Sequence, residues 1–186
     1  MTGQIADKFI YRGAAYDMIG VRGGELITPE QFGMTPTAGC TACWRGFYVT
    51  YELTSEGLYL RELTLYEKND NYKPIDGVMP VPVGRNMFDW KIGDMSYSNL
   101  NVRVPFTGKI RIAKDFIEER YVHMGFQAPS AYKTVHDVTL KDGKVVDILD
   151  RSREVEKLRE EMGERPVIDD LMEWIDKRFG LDMDLE

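Results

Sequence analysis

The sequence of 186 residues is short of cysteine, with two, and of histidine, also with two. Two thiols, Cys40 and Cys43, are too few for the dense disulfide framework of a small secreted domain. No basic segment followed by an apolar core opens the chain, so no signal peptide is expected. No apolar run approaches the roughly 18 residues of a spanning helix. These absences together predict a cytoplasmic protein with no membrane partner. Repeats with a period of 20–50 residues are missing, as are low-complexity tracts, which argues against solenoids and propellers. Missing too are H-E-x-x-H, G-x-S-x-G, a P-loop, G-x-G-x-x-G after a strand, and a D-x-D calcium loop, and with them several large enzyme classes.

A block of basic residues is also lacking. The chain carries 31 acidic and 24 basic side chains, a formal charge of −7. Residues 151–186 hold 12 acidic against 7 basic, so most of the excess lies at the C-terminus. This balance argues against nucleic acid or an anionic membrane as partner, and fits a basic protein partner or simple solubility.

What is present is aromatic and β-branched: ten Tyr, eight Phe and three Trp suit a sheet. Phe47, Val49, Tyr51 and Leu53 alternate with polar neighbours, Thr54–Gly57 forms a turn, and Leu58 and Leu60 begin a return strand. The apolar set then moves to Leu63 and Leu65, which predicts a β-bulge near Arg61 and Glu62. Asp142-Gly143 predicts a type I′ turn in a second hairpin over 132–149. Lys109–Ile112 reads as a strand, as do Phe9–Tyr11 and Tyr16–Ile19 on either side of Gly13. Gly20–Gly24 reads as a hairpin turn, and 67–102 as loops with short strands.

Helices are expected mainly at the end. Asp115 and Glu118 have the form of a capping box and predict a short helix over 116–121. Beyond residue 150, Val155, Leu158 and Met162 recur at helical spacing, with Ser152 as N-cap and Gly163 closing the helix. Pro166 opens a second helix whose stripe is Ile168, Leu171, Ile175 and Phe179. The fold class expected is α+β: a mostly antiparallel sheet of eight or more strands, curved or sandwiched, with two C-terminal α-helices. Residues 1–150 would form the β domain and 151–186 a helical segment packed on it, or on a second copy to make a homodimer.

Chemistry-bearing residues are sparse. Cys40-Thr41-Ala42-Cys43 could chelate zinc or cycle as a dithiol, but a second close ligand pair is missing and Trp44-Arg45-Gly46 leads into a strand, so no metal site is assigned and the thiols are read as small buried groups. Cys43 and His123, with Asp137 or Asp150 orienting the ring, are the catalytic candidates. Arg45 and Tyr121 are binding candidates, because arginine beside aromatics (Tyr11-Arg12, Trp44-Arg45, Tyr59-Leu60-Arg61) suits carboxylates, phosphates or planar rings as well as internal ion pairs. His136, mid-strand, is read as structural. No cofactor is expected.

Thr41-Ala42-Cys43-Trp44-Arg45-Gly46, Val104-Pro105-Phe106-Thr107-Gly108, Tyr121-Val122-His123-Met124-Gly125-Phe126 and Asp150-Arg151-Ser152 together resemble an uncharacterised family of bacterial cytoplasmic proteins. The resemblance covers most of residues 8–155 and implies no activity and no site residue.

The leading functional expectation is a non-enzymatic protein-binding domain of the immunity or inhibitor kind, holding a basic protein through Asp169, Asp170, Glu173 and Asp176. The alternatives are an enzyme or small-molecule binder with a Cys43/Arg45/His123 pocket, and an assembly subunit whose helices pair with another chain.

Overall fold

The computed structural model describes residues 2–83, 93–162, 181 and 183. Ten strands form one open sheet: β1 Lys8–Tyr11, β2 Ala14–Arg22, β3 Phe47–Leu53, β4 Leu58–Leu65, β5 Val81–Pro82, β6 Met95–Tyr97, β7 Val102–Arg103, β8 Gly108–Phe116, β9 Tyr132–Lys141 and β10 Lys144–Asp150. Their order is β10-β9-β8-β2-β1-β3-β4-β6-β5, with β7 also paired to β4. Eight of the nine strand pairings are antiparallel and β1–β3 is parallel, so the sheet is mixed. A parallel pair needs a long connection. The 35 residues from 12 to 46 provide it, with β2 and a short 3₁₀ turn at Pro29–Phe32 on the way.

Local chemistry accounts for the hairpins. Thr50 pairs with Glu62 and Tyr51 with Leu60, which leaves Arg61 as the extra residue of a bulge and moves the buried set from Leu58 and Leu60 to Leu63 and Leu65. Asp142 and Gly143 turn β9 into β10 with φ of 50° and 71°. Gly20–Gly24 makes no hairpin. Gly20 belongs to β2, and the strands flanking β2 are β1 and β8. Gly23 passes so close to Thr107 that a Cβ there would come within 2.7 Å of its carbonyl oxygen.

The predicted helix over 116–121 is corrected. β8 continues to Phe116, and only a 3₁₀ turn at Glu118–Arg120 follows, without a side-chain cap. Asp115 sits at φ 61° and spends its carboxylate on the Thr134 hydroxyl, 2.8 Å away on β9, so it holds strands together and caps nothing. One helix is described, α1 Ser152–Met162, where two were expected. The second, with Pro166 and its stripe, lies outside the described residues, as does Gly163. Ser152 begins α1 differently from the expected N-cap: its Oγ accepts the Val135 N–H of β9, while Asp150 Oδ1 accepts the Ser152 N–H.

Two apolar clusters cover the two faces of β8 and β9. Ile110, Ile112, Val138 and Leu140 join the large cluster with Phe9, Val49, Tyr51 and the leucines of β4. Ala113 and Val135 face the other way, where Val155 of α1 packs with Ile19, Ala131 and Tyr132. Arg111, almost wholly buried on this side, makes a two-pronged ion pair with Asp137 at 2.6 and 2.9 Å. No helix among the described residues is long and apolar enough to cross a membrane.

One buried clasp has a measurable pH signature. Glu67, just past β4, accepts the N–H groups of Asn71, Asn69 and Thr35, which hold its carboxylate below the ordinary value of 4.5. Its contribution to stability is therefore full above that value and fades as pH falls through the lowered one. In urea unfolding followed from pH 7 to pH 3, Glu67→Gln should be less stable at neutral pH and lose less on acidification. An unchanged acid limb would remove Glu67 from the account.

Candidate functional site

β1 is four residues long and lies between two longer strands, so the sheet forks where β1 begins. Asp7, one residue before it, ties the fork. Its carbonyl oxygen accepts the Met18 N–H of β2 at 2.8 Å, and its Oδ1 accepts the Val49 N–H of β3 at 3.0 Å. The same carboxylate takes Arg45 in a bidentate pair, at 2.7 Å to Nη2 and 3.2 Å to Nη1. Asp7 is 3% exposed, whereas 31% of the Arg45 side chain is open. The Arg45 guanidinium also lies over the Phe47 ring, 4.8 Å from its centre.

Beyond the tie, β2 and β3 leave a cleft of about 380 Å³. Met18 and Val21 form the β2 wall, Leu26 and Ile27 the floor beyond it, and Tyr51 the β3 side. Half of the Trp44 surface stands exposed at the rim, together with Phe126, Gln4 and Glu25. Leu181 closes one side: its carbonyl oxygen accepts the Val21 N–H at 2.7 Å, on the part of β2 that β1 leaves uncovered. Burial first, and then the Asp7 carboxylate, push the Tyr51 hydroxyl far above its usual range, so it stays protonated although a hydrogen bond from the Ile27 backbone opposes the shift.

The turn that delivers Arg45 depends on Gly46. Its φ is 77°, and a Cβ there would come 2.4 Å from the Thr37 carbonyl oxygen. The N-terminal strap, residues 2–6, fixes the rest. Ile5 N–H donates to the Ala42 carbonyl, Gln4 N–H to Gly125, and the Gln4 side chain bonds both the Thr41 carbonyl and the Trp44 N–H. The strap thus joins the Thr41–Trp44 turn to the 121–126 loop.

Of the expected site residues, Arg45 lines this cleft and Cys43, His123 and Tyr121 do not. Cys43 is buried, and burial followed by the neighbouring Cys40 pushes its thiol up to about 11, far from a nucleophile's range. His123 is exposed and contacts Tyr121, whose hydroxyl lies 3.2 Å from Nδ1; no hydrogen bond or ring contact joins it to Cys43. The acids expected to orient it are engaged elsewhere, Asp137 with Arg111 and Asp150 at the start of α1. Cys43 and His123 thus lie on different loops, each with its own partners, and no contact of the described residues couples them. Both cysteines are free thiols, and no group of three or more His, Cys, Asp or Glu that could hold a metal occurs among the described residues. Asp169, Asp170, Glu173 and Asp176 lie outside the described residues. Asp7 went unrecognised because nothing in Ala6-Asp7-Lys8 marks a residue that will be buried against an arginine 38 positions away.

The chain matches no family model, no curated protein and no solved structure.

Two outcomes follow from this geometry. Arg45→Met leaves the buried Asp7 carboxylate without its counter-charge and should lower stability by about 3 kcal/mol in denaturant unfolding; a change below about 1 kcal/mol would show that Val49 alone satisfies it. In the folded protein at pH 7.5, iodoacetamide should alkylate the partly exposed Cys40 well before Cys43, with Cys43 reacting only on unfolding. Rapid labelling of Cys43, read by mass spectrometry, would restore it as a candidate nucleophile.

Proposed function

We propose that this chain is a small-molecule-binding domain whose cleft between β2 and β3 takes a compact, largely apolar molecule with one hydrogen-bond acceptor. The observation that carries the reading is a single guanidinium, one third open, in a mostly apolar cleft. About 380 Å³ falls at the small end of ligand sites. Asp7 takes two of the five N–H donors of Arg45, and the planar fork keeps others directed outward. Because Asp7 already neutralises Arg45 and Glu25 adds negative charge at the rim, a neutral carbonyl or amide suits the site better than a carboxylate. Trp44 and Phe126 at the rim offer faces for an aromatic or alicyclic body.

The reading supports binding and assigns no chemical step, since Cys43 is not set up as a nucleophile. An acidic surface that holds a basic protein rests on residues outside the described set, and this reading does not use it.

The test is ligand-observed NMR with matched probes, phenylacetamide against phenylacetate, on the full chain. The amide should bind at least as well as the acid. Arg45→Lys, which keeps the charge but loses the fork, should weaken it about tenfold, a loss of roughly 1.4 kcal/mol. Val21→Phe, which fills the β2 wall, should abolish binding. Failure of both probes to bind, or binding that Val21→Phe leaves intact, would overturn the proposal.

A further inference from the structure

A second cleft, of about 340 Å³, opens on the other side of the N-terminal strap. Gln4 and Phe126 line both clefts, so the strap is the wall between them. The chemistry of the second differs from that of the first. Phe116, at the end of β8, meets Tyr132 with ring centres 5.3 Å apart at 66°, and Tyr121 with centres 6.4 Å apart at 78°. Three rings of one cleft thus stand nearly perpendicular in succession. Beside them is the Asp17 carboxylate of β2, which accepts the Tyr132 hydroxyl at 3.0 Å and pairs with the Lys8 ammonium of β1.

Packing alone explains Tyr132, which is buried. It explains Phe116 and Tyr121 less well, for they leave 37% and 49% of their surface open beside a carboxylate. Exposed ring faces next to a negative charge suit one ligand chemistry in particular, a soft cation. A quaternary ammonium cannot donate N–H hydrogen bonds, is weakly hydrated, and gains from π faces on several sides with an anion nearby. A primary ammonium would instead seek direct hydrogen bonds, and Lys8 supplies one in the chain itself. Lys8 also shows that the surroundings accept a positive charge against Asp17. With half of its side chain exposed, Lys8 has room to move aside into water. Burial, and then the Asp17 carboxylate, push the Tyr132 hydroxyl up, so it stays a donor and adds no second negative charge.

We propose that this cleft is a cation site for a trimethylammonium-type head group, held by the exposed rings of Phe116 and Tyr121 and by the Asp17 carboxylate that Tyr132 holds in place, with Lys8 as its internal competitor. The site is separate from the Arg45 cleft and does not depend on that reading. A binding role for Tyr121, expected from its sequence neighbourhood, enters here.

The experiment is an NMR titration of the full chain with choline and with 3,3-dimethyl-1-butanol, the uncharged carbon analogue of choline. Choline should bind in the millimolar range, and the alcohol about tenfold more weakly or worse. Lys8→Gln, on a half-exposed side chain, should tighten choline several-fold by removing the competing ammonium. Tyr121→Ala should weaken it about tenfold. Asp17→Asn should also weaken it, and the Lys8 and Tyr121 variants keep the test intact if Asp17→Asn fails to fold. Equal affinity for the alcohol and choline would reduce the cleft to an apolar hollow. Weaker choline binding by Lys8→Gln, or no binding of choline up to about 50 mM, would likewise overturn the proposal.

Discussion

The Asp7 carboxylate is the interaction on which this end of the molecule depends. It sits at the point where a four-residue strand gives out between two longer ones, and there it replaces a strand with hydrogen bonds. Its backbone oxygen holds β2, one side-chain oxygen holds the N–H of Val49 on β3, and both side-chain oxygens hold Arg45. A buried carboxylate with fewer partners would be costly. With three it lets the sheet split without leaving polar backbone bare, and the split becomes a cleft.

The short β1 also accounts for the position of both clefts. Elsewhere the sheet is filled, by the leucines of β4 on one face and by Val155 of α1 on the other. At the fork, the strap of residues 2–6 crosses the opening and divides it. One side presents the donors of Arg45 in an apolar setting; the other presents a carboxylate among perpendicular rings. The two sides therefore differ in what they offer a ligand, hydrogen-bond donors on one and a carboxylate on the other, although only a few residues of backbone separate them.

The hairpins were legible because their determinants are local. Period-two alternation, the parity change at Arg61 and the Asp142-Gly143 pair each act within a few residues. The 116–121 segment misled for a related reason. Asp115 and Glu118 carry the chemistry of a cap, but Asp115 found a stronger partner in Thr134, and pairing with β9 carried the strand on through Phe116. Propensity yielded to tertiary pairing. The Arg–aromatic pattern was legible in part. Arg12, Arg45 and Arg61 do lie over aromatic rings, and Arg45 and Arg61 are ion-paired as well, but only tertiary structure selects Arg45 as the one facing a cleft.

By itself the sequence determined the β-rich α+β class, the two principal hairpins, the bulge and the first C-terminal helix, all of which rest on contacts between near neighbours in the chain. Tertiary structure decided the parallel pairing of β1 with β3, the pairing of Arg45 with Asp7 and the burial of Asp7. It also decided the meeting of Phe116, Tyr121, Tyr132 and Asp17 in one cleft. Asp17 and Tyr132 are 115 residues apart, and no spacing rule reaches so far. Such contacts depend on which strand edges meet, and that is settled by the burial of the whole sheet rather than by any single segment.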